Sequence, residues 1–140
     1  VLSLVNSWSE TPMENLPAIT SLNSAADIDV NKMLETSDYL VNYFIESINF
    51  RDFVTAYSLL GSESQSNIDY QTFRNQYLNT ISLSVNELKT TNQENQVIIE
   101  TEISAIERTG ENEKTKTYNM NFIVAYENDQ AKIISKEIVE

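Results

Sequence analysis

The stretch YLVNYFIESINFRDFVTAYSLL, Tyr39 to Leu60, carries two apolar faces at helical spacing. In its first half Leu40, Val41, Phe44, Ile45 and Ile48 recur at intervals that place them on one side of a helix. In its second half Phe53, Ala56, Tyr57 and Leu60 do the same. Asn49–Asp52 breaks the pattern between them. Asn49 suits the N-cap of the second helix, with Asp52 at its N3 position, where a carboxylate complements the helix dipole. Two short helices with one apolar face each need a further layer to cover them.

The sequence downstream supplies that layer. GSESQSN (Gly61–Asn67) reads as a loop, and a third helix follows with Tyr70, Phe73 and Tyr77 on its buried side. After Thr80 the apolar period changes from about 3.6 residues to 2. Ile81, Leu83 and Val85 alternate, and the spacing then slips to Leu88, as a bulge would make it. Val97, Ile99, Thr101, Ile103 and Ala105 form one face of a long strand, and Tyr118, Met120, Phe122, Val124 and Tyr126 one face of the next. TGENEK (Thr109–Lys114) contains a turn, and Asn128-Asp129 suits a tight hairpin. The spacing predicts helices at about 37–49, 51–60 and 68–79, and antiparallel strands at about 82–90, 96–108, 114–127 and 131–139. The fold class is α+β, with the N-terminal helices packed on the concave face of a curved antiparallel sheet.

Upstream, residues 1–26 hold both prolines, Pro12 and Pro17, and the only tryptophan, Trp8. They read as an arm or linker, with a single domain over 27–140. Ser24-Ala-Ala-Asp27 has the spacing of a capping box, and Val30, Met33, Leu34 and Ser37 extend the apolar face of the Tyr39 helix backwards. A start near Asp27 and a start near Ser37 both fit.

The bulk composition excludes whole classes of function. The 140 residues include no cysteine and no histidine, which removes disulfides, thiolate metal sites and the commonest general base. The formal charge of -12 repels nucleic acid and anionic lipid. No window approaches the roughly 18 apolar residues of a membrane span. Gly61 and Gly110 are the only glycines, so no phosphate-cradling loop exists. A chain whose first residue is Val1 and not Met is expected to be a partial or processed one, and its sequence leaves open whether a signal peptide or anchor preceded it.

The order of elements resembles the nuclear transport factor 2-like superfamily, which shares a cystatin-like cone. Its members often show an aromatic helix, a short acidic break and an alanine-tyrosine-leucine helix, here NYFIESINFRDFVTAYSLL. A helix with a central aromatic follows, here IDYQTFRNQY, and then a closing hairpin with Trp-Lys-Ile after the turn, here Ala131-Lys132-Ile133. The resemblance covers about Ser37 to Val139. Within the superfamily the sequence is similar to small extracytoplasmic domains of Gram-positive bacteria: accessory domains of transpeptidases, lipoproteins and assembly domains of conjugation machinery. The resemblance implies a non-catalytic binding or assembly module of the cell envelope, outside the membrane, needing no cofactor. The alternative is a small-molecule binder or cofactor-free enzyme that uses the cavity of the cone.

Three groups of residues are candidates for function. Tyr39, Tyr43, Tyr57, Tyr70, Phe73 and Tyr77 either line the mouth of the cone, where relatives hold ligands, or pack the core with their hydroxyls at its edge. Glu100, Glu102, Ser104, Asn119 and Asn121 fall on the outer face of the sheet, a polar surface for another protein or the rest of the parent chain. Contacts there are expected to be salt-sensitive, and the isolated domain a monomer or weak dimer. Asp27, Asp29, Asn31, Glu35 and Asp38 match calcium-loop spacing and resemble one dockerin half-repeat. Lys32 stands where the turn of such a loop wants glycine, so the expectation is a helix start rich in acids and no metal. Asp38 and Asp69 are expected near helix starts, where the charged form is favoured, the reverse of what a general base needs.

Overall fold

The computed structural model describes residues 30–139. The arm at 1–26, the capping box at Ser24–Asp27 and the acids Asp27 and Asp29 lie outside the described residues. Among the described residues four helices come first: α1 (Val30–Asn49), α2 (Phe53–Ser58), α3 (Ser62–Asn67) and α4 (Tyr70–Asn75). Four strands follow: β1 (Thr80–Gln93), β2 (Gln96–Thr109), β3 (Asn112–Glu127) and β4 (Gln130–Val139). The strands form one antiparallel sheet in the order β1-β2-β3-β4. The architecture is therefore α+β, as the switch of period at Thr80 requires.

α1 is helical from the first described residue, and its buried side chains Met33, Ser37, Leu40, Val41, Phe44, Ile45 and Ile48 keep one face throughout. Positions 31, 35 and 38 therefore rise along a rod instead of wrapping a loop, and Asp38 sits mid-helix, not near a start. Its Oδ1 accepts a hydrogen bond from Thr90 Oγ1 on β1.

The break after α1 differs from the expectation. α1 runs on through Asn49, so the N-cap of α2 falls to Asp52, whose carboxylate accepts from Thr55 N at 3.1 Å. Asn49 turns to the sheet instead. Its amide donates to Leu83 O at 2.9 Å and accepts from Leu83 N at 2.7 Å, like one residue of a neighbouring strand. Asp52 N donates to Ser47 O and Arg51 N to Ile48 O, which ends α1 in a Schellman motif.

The expected loop at 61–67 is helix α3. It buries no residue, so no apolar period marks it. Tertiary hydrogen bonds hold it: Gln65 Nε2 donates to Tyr57 O and Leu60 O, Tyr57 Oη donates to Ile68 O at 2.7 Å, and Ser64 Oγ donates to Ile134 O.

In the sheet, the slip after Val85 is a register shift between Val85 and Glu87. A second shift lies between Ile123 and Val124, where β4 carries Ile134 as an extra residue. The β3–β4 turn has Asn128 at φ 51° and Asp129 at φ 66°, the left-handed pair of a two-residue hairpin. Residues 59–61 run beside β4: Ile133 N donates to Leu59 O, and Gly61 N to Ile133 O. A Cβ on Gly61 would lie 2.7 Å from Glu127 Oε2 and 3.1 Å from Ile134 Cγ2, so a larger residue here would have to push the Glu127 carboxylate aside.

The core lies between the helices and the inner face of the sheet. Phe44 is its hub, with ring centroids 6.1 Å from Phe73, 6.1 Å from Phe122 and 6.5 Å from Tyr77.

Candidate functional site

The strands outrun the helices. Towards the β2–β3 turn no helix among the described residues covers the inner face, and a cavity of about 410 Å³ opens there. Phe44 and Ile45 of α1, with Gln76 and Tyr77 just past α4, form one side. Leu83, Ile103, Ala105, Met120 and Ile138 form the sheet side, which is mostly apolar. Polar groups enter from Thr80, Glu107, Tyr118, Lys136 and Glu137.

Lys136 reaches the cavity because of the bulge. Strict alternation from the buried Ile133 would point Ser135 and Glu137 inward. The extra residue at Ile134 reverses the phase, so Lys136 pairs with Phe122 on the inner face. Its Nζ lies 5.8 Å from the centroid of the Phe73 ring. Among the described residues it has no hydrogen bond and no carboxylate in ion-pair range. Burial pulls its ammonium below the usual lysine range, and no nearby negative charge offsets the effect.

Across the cavity, Tyr118 Oη donates to Glu107 Oε2 at 2.9 Å. Burial and then this carboxylate raise the Tyr118 phenol above its ordinary value. Burial pushes Tyr77 up to about 12. The arrangement offers a mostly apolar bed, one ammonium with no carboxylate in ion-pair range among the described residues, a tyrosine–carboxylate pair bonded to each other, and the carboxylate of Glu137.

Of the six aromatics read as the cavity mouth, Tyr77 lines this space. Phe73 has no exposed surface and belongs to the core. Tyr57 and Tyr70 meet edge to face at 5.7 Å beside α3. Tyr39, half exposed, stacks at 5.8 Å on Tyr43, which is partly buried against the core. Burial, the Tyr39 phenol and Asp52 all raise the Tyr43 phenol. Sequence reasoning missed Glu107, Tyr118 and Lys136. A bulge in β4, had it been visible, would have exposed the lysine.

The outer-face residues do come together. Glu100 pairs with Asn121 and Glu102 with Asn119, on the side away from the helices. With Glu87, Leu88 and Lys89 they line a shallow groove. Asn86 Nδ2 donates to Glu102 Oε2 and to Ser104 Oγ. Asp69 caps α4 and accepts from Thr72 N at 2.8 Å, which holds its carboxyl below the usual range. The described residues contain no cluster of three His, Cys, Asp or Glu able to hold a metal ion. They also contain no helix long and apolar enough to cross a membrane.

No family model matches the sequence, and no curated protein matches it. Solved structures do. The solution structure of a SEC-C motif containing protein from Rhodopseudomonas palustris superposes with a TM-score of 0.56 at 14% identity, over 72% of this chain and 77% of that one. The crystal structure of the intermembrane space region of the chloroplast protein ARC6 aligns with a TM-score of 0.40 at 14% identity, over 76% of this chain and 95% of that one. The first likeness shows a shared small α+β fold and nothing about activity.

Proposed function

We propose that the chain is a non-catalytic binding module of the nuclear transport factor 2-like cone type, and that its cavity takes a small, largely apolar molecule bearing a carboxylate or similar anion. One observation carries this reading: the Lys136 ammonium enters a mostly apolar cavity and, among the described residues, has no carboxylate in ion-pair range, although Glu107 and Glu137 also line the space. A buried cation without a partner is costly, and an anionic ligand would relieve that cost on arrival. The apolar lining supplies affinity through burial, and the volume of about 410 Å³ falls in the range of small-molecule sites. The bond from Tyr118 to Glu107 supports binding over catalysis by that carboxylate, since its oxygen is already engaged, and leaves Glu137 as the other carboxylate of the lining. Placement outside the membrane, in a cell-envelope protein, rests on the resemblance of Ser37 to Val139 alone.

A second reading concerns the outer face. Glu87 stands directly opposite Glu102 in the ladder, and like charges so placed weaken a sheet. A basic or polar partner lying on Glu100, Glu102, Ser104, Asn119 and Asn121 would relieve that repulsion, in contacts sensitive to salt.

The test is titration with the apolar anion 8-anilinonaphthalene-1-sulfonate, with medium-chain alkanoates as competitors. The expected result is saturable binding that alkanoates displace and alkanols do not. It should fall about tenfold or more in Lys136→Met and vanish in Ala105→Phe, which fills the cavity. Equal binding by wild type and both variants would overturn the reading. So would no binding at all. Turnover of a bound ligand would move the assignment to a cofactor-free enzyme.

A further inference from the structure

A second surface of distinct chemistry lies at the turn after α1. The chain carries a net charge of -12 and has three arginines, Arg51, Arg74 and Arg108. Two of them converge on one ring: the guanidinium carbons of Arg51 and Arg74 each lie 6.0 Å from the centroid of Phe53. Arg51 Nη1 donates to Tyr77 O at 3.3 Å, which fixes its direction. Among the described residues neither arginine forms an ion pair. Between them lies a depression of about 350 Å³ that is also lined by Asp52, Val54, Tyr70 and Leu78.

The surroundings are unusually apolar for a surface. Phe50 is 77% exposed, Val54 63% and Leu78 48%. Val54 and Leu78 line the depression, and Phe50 immediately precedes Arg51. Scattered exposed apolar residues need no explanation, but a group framed by two guanidiniums that form no ion pair among the described residues does. The backbone adds a further observation. Arg51 has φ 64° at the Schellman position, where glycine is the usual residue because a side chain strains the left-handed conformation. Backbone conformation alone disfavours an arginine here.

We propose that this surface docks an acidic, apolar peptide segment of another protein. Its carboxylates would pair with Arg51 and Arg74, and its apolar side chains would cover Phe50, Val54 and Leu78. Guanidinium forks suit carboxylates, and arginine with aromatic residues is the composition of interface anchors. Nucleic acid fits poorly, since its backbone calls for more cations than two on a chain this acidic. A second copy fits poorly for the same reason of net charge. At physiological salt the field of distant carboxylates is screened over roughly 8 Å, so the local arginines govern a short peptide in contact.

Selection from a random peptide library against the whole chain tests this. Enriched peptides should combine Asp or Glu with aromatic or aliphatic residues. A synthesised binder should weaken as salt rises and lose about tenfold or more in affinity to Arg51→Gly and to Val54→Asp. Arg51→Gly relieves the left-handed strain but gives up the bond to Tyr77 O, so its urea midpoint is measured beside its affinity, and a loss of binding at an unchanged midpoint is the expected result. Ala105→Phe, remote from the surface, should leave peptide affinity unchanged and so separates this surface from the cavity. The proposal is overturned by binders without acidic residues, by binders indifferent to Arg51→Gly and Val54→Asp, by the absence of any enriched binder, or by a dimer that buries Val54.

Discussion

The inner face of the sheet is two surfaces. Near the β1–β2 and β3–β4 turns, Val97, Ile99, Phe122, Val124, Ala131 and Ile133 are fully buried. Near the β2–β3 turn, on the same side of the same strands, Tyr118, Met120 and Lys136 are half-buried and Ile138 is 53% exposed. The difference is coverage. The four helices reach across the first half and stop, and polar side chains appear on the inner face where they stop. The teaching is that an inward lysine or glutamate in a strand marks the end of a layer, and an uncovered layer end is where a cavity forms.

The sharpest way to break that comparison is to delete one side chain from each half. Ile99→Ala, in the covered half, should cost about 2–5 kcal/mol, the loss of transfer energy plus an unrelaxed void. Met120→Ala, beside the open cavity, should cost less than about 1 kcal/mol, because its side chain already borders solvent-accessible space. Urea midpoints measure both, and equal losses would mean that the two halves are packed alike.

Alkaline pH probes the boundary between the halves, where Tyr77 lies. Its folded pKa is raised from 10.0 to about 12, so its stabilising contribution is complete below 10.0 and is lost as pH rises through about 12. Two pKa units correspond to about 2–3 kcal/mol. The buried ammoniums act in the opposite sense. Lys132 and Lys136 have folded values below 10.5, so the cost of burying them is fully present below their folded pKa and is relieved as pH rises to 10.5. Denaturant midpoints measured through this window should fall at the alkaline end, and Tyr77→Phe should flatten that fall. An unchanged slope in the variant would place Tyr77 in water.

Asn49 sharpens the comparison at its edge. Its amide ties the end of α1 to Leu83, which lines the cavity. Asn49→Ala should cost about 1–2 kcal/mol through two lost hydrogen bonds. It should also weaken binding in the cavity more than Ala substitution of the exposed Asn42, which bonds within its own helix to Asp38 O. Calorimetry of both variants with the sulfonate probe decides it.

Much of the fold was legible because it rests on apolar period. The change at Thr80, the slip after Val85 and the Asn128-Asp129 turn all leave a mark in one dimension. What stayed hidden has a different cause. α3 buries nothing, so Ser62–Asn67 shows no period, and bonds to Tyr57, Leu60 and Ile134 hold it from outside. The cap moved from Asn49 to Asp52 because both residues are good caps, and the length of α1 chose between them. The candidate site was hidden by Ile134, since one apolar residue in an apolar run does not announce a bulge. The aromatics, conspicuous in the sequence, mostly fill the core, whereas the cavity draws on Glu107, Tyr118 and Lys136, three residues that alternation alone assigns to no site.

The pairing of residues 59–61 with β4 bears on solubility. An open sheet has two outer strands whose unmet amides and carbonyls recruit other chains into aggregates. Here Asn49 occupies the groups of Leu83 on β1, and the Leu59–Gly61 segment occupies those of Ile133 on β4. Among the described residues β4 pairs with β3 only from Asn119 onward, so Asn112–Tyr118 has β2 on one side and no strand on the other. That stretch reads NEKTKTY and carries Lys114 and Lys116, the residue type that blunts edge-to-edge association. A helix end thus occupies the outer edge of β1 at Leu83 and a short backbone splice that of β4 at Ile133, while the bare stretch of β3 carries charges that keep other chains away.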